Sequence, residues 1–328
     1  MKQTDGKLFI VTGGAGFIGS AVVRQLNDEG ISNIVVVDNL ASTEKWKNLV
    51  GKDFVDVLHK STLFDWLKGR ESEIAAIIHL GACSSTVELD ANYLLENNYR
   101  YTKRLAEFAL SNGIRFIYAS SAATYGSGEQ GFSDDHNRIK TLEPLNMYGY
   151  SKQLFDLWAL RTGVLNQIVG LKYFNVFGPN EYHKGRMSSA IIRMVPEVLT
   201  QGVIRLFASD QPKLYDNGEQ KRDFVYVKDV AKMTCAFLQN DAAGLFNIGT
   251  GEALSWNRLA KAVCKALSKP EKIEYIEMPK DLQGKYQYFT QADIAKTTTA
   301  LGEKAKQMSL EDSVYDYVNN YLLKGLRW

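Results

Sequence analysis

The chain has 328 residues, 45% of them hydrophobic, enough for one large or two medium domains. Its 39 basic and 37 acidic residues leave a net charge of +2, which gives no electrostatic case for nucleic acid or an anionic membrane surface. Cys83, Cys235 and Cys264 are too few and too scattered for a metal signature or a disulfide framework. No apolar run approaches the ~18 residues of a membrane span, and Leu8 to Val11 is too short for a secretory signal. The expectation is a soluble cytoplasmic protein with no metal.

The first half alternates strand and helix. "LFIV" reads as a buried strand, and 17 to 29 carry Ile18, Val22, Val23 and Leu26 at helical spacing. "IVVV", 34 to 37, is a β-branched second strand, "FVDVL" a weaker third, 75 to 80 a fourth and 114 to 119 a fifth. The clearest intervening helix runs from 89 to 110. "QIVGLKYFNV" reads as one sixth strand ending near Asn175. This alternation predicts an α/β fold, a Rossmann-type doubly wound parallel sheet.

The second half is less regular. Residues 187 to 201 read as a helix that Pro196 kinks or ends early. "IRLF" is a short strand, a helix starts near Val227, and "LFNIGTG" is a strand closed by a glycine turn. Ser255 caps a helix through Leu267, "KIEYIEMP" is another strand, and "SLED" opens a last helix with a capping-box pattern of Ser309 and Asp312. The expected division is a nucleotide-binding domain over 1–175, with a returning segment near 225–250, and a smaller C-terminal substrate-binding domain drawn mainly from 176–328.

"TGGAGFIGS" places Gly13, Gly16 and Gly19 at three-residue spacing between a strand and a helix. There the first glycine makes the turn, the second admits a pyrophosphate, and the third lets helix and sheet pack. The helix N-terminus adds unpaired N–H groups for phosphate. Asp38 ends the second strand, where a carboxylate binds an adenosine ribose and favours NAD. Lys45, seven residues on, is either a 2′-phosphate ligand favouring NADP or a solvated surface charge. "HLGACSS" follows the fourth strand with small residues that let a loop run close to a cofactor.

Tyr148 and Lys152 form Tyr-x-x-x-Lys on one helical face. A free phenol titrates near ~10, too high for a base at neutral pH, and a neighbouring ammonium favours the phenolate. Ser120, Ser121 and Thr124, at the end of the fifth strand, offer a hydroxyl beside them. Lys184 lies in the polar, glycine-flanked stretch "NEYHKGRMSS" with no hydrophobic pattern to explain it.

"TGGAGFIGS", "SSAATYG" and "YGYSK" resemble the extended short-chain dehydrogenase/reductase family, which includes sugar-nucleotide epimerases and dehydratases. Nearly the whole chain shares this resemblance, and "HKG" and "YFTQAD" narrow it to members acting on an ADP-activated heptose. The resemblance implies an epimerase that uses tightly held NADP without net consumption and assembles as a homo-oligomer, the pentamer being the reported form. It implies Ser121, Tyr148 and Lys152 as catalytic residues, with Lys184 as a second acid/base. Cofactor contacts implied are Gly13, Gly16, Phe17, Ile18, Gly19, Asp38, Asn39, Lys45, Lys60, Leu80, Gly81, Ala82, Cys83, Ser84, Asn97, Tyr148, Lys152, Val176 and Lys184. Substrate contacts implied are Asn175, Arg186, Arg193, Phe207, Ala208, Ser209, Asp210, Arg222 and Tyr286. Arg186, Arg193 and a long stretch between Phe207 and Arg222 depart from the family pattern on the sugar-nucleotide side. Other nucleotide-sugar epimerases, dehydratases and a non-catalytic NADP-sensing protein remain alternatives; Ala122 and Ala123 stand where a dehydratase carries an acidic pair.

Overall fold

A computed structural model describes residues 6–279 and 287–328. In chain order the first strands are β1 (Leu8–Thr12), β2 (Ile34–Asp38), β3 (Asp56–His59), β4 (Ile74–His79), β5 (Arg115–Ser121) and β6 (Val169–Tyr173). There follow β7 (Asn175–Phe177), β8 (Ile204–Phe207), β9 (Lys221–Arg222), β10 (Phe224–Tyr226), β11 (Gly244–Ile248), β12 (Leu254–Ser255) and β13 (Ile273–Ile276). Seven of them form a parallel sheet in the order β11-β6-β5-β4-β1-β2-β3. The expected doubly wound sheet is therefore present.

Burial on both faces explains the unbroken apolar runs of β1, β2 and β4. One face packs helices Phe17–Asp28 and Val227–Ala236 through Val22, Val23, Leu26, Ala231 and Cys235. The other packs helices Tyr101–Ser111 and Met147–Arg161 through Leu105, Ala109, Phe155 and Ala159. The strand order reverses between β1 and β4, and a ligand crevice opens there, beyond the carboxyl ends of the strands.

Away from the sheet, β7 pairs with β10, β8 with β13 and β9 with β12. Among the described residues no helix is long and apolar enough to cross a membrane.

Two expectations need correction. "QIVGLKYFNV" is two strands: β6 pairs with β11, then Phe174 N–H bonds the Ile248 carbonyl and the chain turns onto β10. Apolar periodicity carries no signal for such a change of partner. Pro196 does not end its helix, which runs from Ala190 to a left-handed Gly202 beyond Gln201. The buried stripe Ile191, Met194, Val195 and Val198 outweighs the one hydrogen bond that proline forgoes.

Candidate active site

The glycine turn after β1 is built by close approach. Gly13 has φ +66°, and a Cβ there would lie 2.7 Å from the Gly81 Cα. A Cβ on Gly19 would meet the Gly13 carbonyl oxygen at 2.0 Å, so helix and turn touch at a point no side chain can share. Gly16 occupies the N-cap position with no side chain over the first N–H groups of the helix. An anion can therefore approach those groups directly.

A cleft at this end of the sheet is lined by Thr12, Gly13, Val37, Asp38, Asn39, Lys45, Lys60, Gly81, Ala82, Tyr93, Asn97 and Tyr101. It gathers Gly13, Asp38, Asn39, Lys45, Lys60, Gly81, Ala82 and Asn97 from β1, β2, β3, β4 and the helical segment 91–111. Tyr93 and Tyr101 join them, and neither was singled out in the sequence. Both oxygens of the Asp38 carboxylate are engaged: Oδ2 accepts from Ala15 N–H at 3.0 Å, and Oδ1 from Asn39 N–H at 2.7 Å and Lys45 Nζ at 2.6 Å. Lys60 Nζ donates to Asn97 Oδ1 and lies 6.0 Å from the Tyr93 ring.

The segment Leu95–Arg100 is π-wound, which inserts an extra residue per turn. Consecutive Asn97 and Asn98 consequently both reach the site. Asn98 Oδ1 accepts from Cys83 N–H, and its Nδ2 donates to the Cys83 carbonyl and to Ser151 Oγ. This one amide pins the Leu80–Ser84 loop to the helix that carries Tyr148 and Lys152. Beneath the loop, His79 bridges Thr12 and Thr102, and burial holds its imidazole down to about 3. His79 is thus a neutral strut at the end of β4.

Helix Met147–Arg161 starts on Asn146, whose side chain accepts from Gly149 N–H. Tyr148 and Lys152 follow in its first turns. Burial pushes the Tyr148 phenol up, a hydrogen bond with Ser121 pulls it down, and Cys83 raises it further. Lys152 donates to the Ala119 carbonyl at 2.9 Å; burial lowers its ammonium to about 8, against the pull of Asp156. Ser121 caps the turn Ala122–Tyr125, its Oγ accepting from Ala123 N–H.

Behind these groups lies a charged pair absent from the sequence reading. Lys172 on β6, 1% exposed, donates to Asp156 Oδ2 at 2.7 Å and to Thr124 Oγ1 at 2.6 Å. Asp156 also accepts from Ser120 Oγ and Tyr118 OH, both at 2.8 Å. Asp156 stands one helical turn beyond Lys152, a spacing visible in the sequence. Its partner Lys172, inside a strand, carried no local signal.

Lys184 sits in a short helical turn, Tyr182–Met187, broken by Gly185 at φ +52°. Its Nζ lies over the Phe17 ring at 5.4 Å, which brings it to the head of the glycine-turn helix. Burial lowers its ammonium, and Glu181 opposes that shift. Neighbouring His183 is pushed down to about 4 by burial and by the Lys184 and Lys45 cations. The turn is held from behind: Asn180 bonds the Trp328 backbone through both amide atoms, and Asn48 reaches Ala15, Asn180 and His183.

On the β7 side, Asn175 is exposed and its Oδ1 accepts from Thr290 Oγ1 at 3.2 Å, while Val176 is half-buried beside it. Arg222 is buried. Asp223 binds Thr250, Gly251 and Ala292 N–H groups and so fixes the approach to Thr290. Phe207 ends β8 and is half-buried, as are Ala208 and Ser209 after it, while Asp210 is exposed and its N–H bonds Tyr288 OH. Arg186 is exposed, and Arg193 faces solvent 3.7 Å from Glu197. Tyr286 lies outside the described residues.

Residues 9–249 match the model of the NAD dependent epimerase/dehydratase family. An ADP-L-glycero-D-manno-heptose-6-epimerase of Nitratidesulfovibrio vulgaris is 52% identical over 318 residues, covering 96% of this chain and 98% of its own. The enzyme of the same name from Fusobacterium nucleatum is 48% identical over 97% of this chain and 98% of its own. The solved structure of ADP-L-glycero-D-manno-heptose-6-epimerase from Helicobacter pylori superposes with a TM-score of 0.82 at 29% identity, over 98% of each chain. By the family model and by these full-length relatives, the chain belongs to the NAD dependent epimerase/dehydratase family.

Proposed function

We propose that the protein inverts C6 of the heptose in ADP-D-glycero-D-manno-heptose, giving ADP-L-glycero-D-manno-heptose, with NADP as resident cofactor. The observation that supports this reading is a pair of half-buried proton carriers on separate elements. Tyr148 with Lys152 lies on one helix, and Lys184 lies over Phe17 at the glycine turn. The relatives' shared name supplies the substrate.

The cradle fits a dinucleotide: Gly13 and Gly19 let the turn pack where a Cβ would collide with backbone, and Gly16 leaves the helix N-terminus uncovered by any side chain. Gly13, Gly16, Phe17 and Ile18 would hold the pyrophosphate, and Asn39, Lys45 and Lys60 the adenosine end. Asp38 already satisfies three protein donors, which favours NADP through Lys45 over NAD through a free carboxylate. When bound, the cofactor supplies reversible hydride acceptance.

The C6 hydrogen is not acidic, so inversion needs oxidation to a ketone and return of hydride to its other face. Tyr148 takes the hydroxyl proton as hydride departs, with Ser121 bonding the same oxygen. Lys152, still largely an ammonium at neutral pH, stabilises the phenolate. The ketone is planar and must turn before it is reduced. Its oxygen then faces a different direction, and Lys184 protonates it there; Tyr148 then releases a proton to solvent and Lys184 regains one, which resets both groups. Such acid/base assistance is worth about 10²- to 10⁴-fold per step.

This reading also takes the protein to be cytoplasmic and homo-oligomeric, a pentamer. Free Cys83, Cys235 and Cys264 suit a reducing compartment. The test is to incubate purified protein with ADP-D-glycero-D-manno-heptose, without added NADP, and determine C6 stereochemistry by NMR. Inversion is expected; unchanged substrate from a nucleotide-loaded protein would refute the reading.

A further inference from the structure

We propose that Asp156 and Lys172 are positioning residues: a buried ion pair that fixes the Ser121 turn and Lys152 relative to one another. This rests on the acid/base roles given to Ser121, Tyr148 and Lys152.

The pair joins every element that brings a group to this side of the site. Tyr118 and Ser120, on β5 just before Ser121, donate to the two Asp156 oxygens. Lys172, on β6, donates to Asp156 and to Thr124 Oγ1. Thr124 Oγ1 in turn donates to the Ser121 carbonyl at 2.8 Å. An unbroken chain of bonds thus runs from the helix carrying Lys152, through Lys172, to the backbone of Ser121. Asp156 is fully buried and Lys172 nearly so, so water cannot substitute for either partner. A surface pair would leave both turns free to drift, and a displacement of about 1 Å at a reacting group is enough to lose about 10²-fold in rate.

A bare structural clamp could be made from apolar side chains as well. Charge adds a second consequence, because Asp156 is the anion that holds up the Lys152 ammonium against burial. The titratable groups around Lys152 are Tyr148 and Asp156 on its own helix, His79 on β4 and Lys172 on β6. His79 is neutral through the physiological range, and Tyr148 bears charge only as the phenolate that accepts the substrate proton. Asp156 is therefore the standing anion beside Lys152, and its removal makes Lys152 lose its proton at lower pH.

The test compares Asp156→Asn, Lys172→Met and the double variant with the parent chain. For each, kcat and KM for ADP-D-glycero-D-manno-heptose are measured across pH, beside bound NADP and the folded fraction by circular dichroism. The double variant removes both charges together and guards against loss of fold in either single one. Expected is a fall in kcat of about 10- to 100-fold with KM within about threefold, in protein that is folded and loaded. The alkaline limb of kcat should also move to lower pH in both variants that lack the Asp156 carboxylate. A double variant with parental kcat and an unmoved limb overturns the proposal. So does activity that simply follows the folded fraction with the limb unmoved. Tyr148→Phe is run alongside: if it retains turnover, the acid/base assignment itself has failed, whereas its loss beside parental Asp156→Asn overturns only the positioning role.

Discussion

Lys45→Met tests the cofactor choice most directly. The substitution keeps an unbranched side chain of similar length and deletes one cation 2.6 Å from Asp38 Oδ1. Asp38 keeps its bonds from Ala15 and Asn39, so the β2 end should hold its shape. A hydrogen bond to a charged group is worth about 1.5–3 kcal/mol. The Lys45 side chain is 19% exposed, so partial screening argues for the lower half of that range. At about 1.4 kcal/mol per decade, NADP affinity should fall about 10- to 40-fold. NAD, with no 2′-phosphate, should change by less than about threefold and gains access to the freed Asp38 oxygen. Protein stripped of nucleotide and titrated calorimetrically with NADP and NAD gives the ratio, and raising the salt should narrow it. Equal losses for the two nucleotides would mean that Lys45 only props up Asp38. A parent chain preferring NAD would refute the reasoning outright.

Tyr148→Phe should lower turnover by about 10²- to 10⁴-fold with fold and nucleotide intact; near-parental turnover in folded protein rules out its role. Gly19→Ala forces a methyl group against the Gly13 carbonyl, so nucleotide content on purification should collapse and overpacking should remove about 1–3 kcal/mol of stability by urea melt. Lys184→Met should abolish net epimerisation in both directions while the ADP dissociation constant stays within about threefold; weak ADP binding with preserved turnover would make Lys184 a phosphate ligand instead. His79, held down to about 3 from 6.5, binds a proton in the unfolded chain before the folded one. Its contribution to stability is therefore full above pH 6.5 and lost as pH falls toward 3, and a neutral His79→Gln chain should show a flatter stability profile across that window.

The parts of the site legible in the sequence were those carried by local spacing. Gly13, Gly16 and Gly19 must be small because helix and turn meet there, and the Tyr148–Lys152 interval is one helical turn. Asp38 and Lys45 are brought to the same cleft by the end of one strand and the turn that follows it. What was not legible depends on partners far along the chain. Lys172 looks like an oddity inside an apolar strand until β6 lies beside the helix that bears Asp156. The single strand expected over "QIVGLKYFNV" fails for the same reason, since its apolar run continues while its partner changes from β11 to β10. Asn98 escaped notice because ordinary helical geometry turns it away from Asn97, and the π-wound segment puts both to use. Asp223 binds backbone groups of Thr250, Gly251 and Ala292, and no pattern within "KRDF" announces that.

The two site lysines, Lys152 proposed to stabilise the Tyr148 phenolate and Lys184 proposed as an acid, are treated alike by the fold, although they come from unrelated elements. Burial lowers each, and one buried carboxylate opposes the shift: Asp156 for Lys152, and Glu181 for Lys184. Each carboxylate is itself held by several donors. Glu181 accepts from the Ser189 N–H and hydroxyl, as Asp156 does from Tyr118, Ser120 and Lys172. The rigid frames differ in one respect that matters. Lys152 is carried on a fifteen-residue helix, whereas Lys184 lies in a short turn that Gly185 breaks at positive φ. An inversion by oxidation and re-reduction presents the ketone oxygen in two directions. On the proposed roles, Lys152 serves the orientation defined by Ser121 and Tyr148, and Lys184 the orientation reached after the ketone has turned. On that proposal a slow step at either group limits net epimerisation in both directions, and each ammonium has a buried carboxylate behind it that opposes loss of its proton.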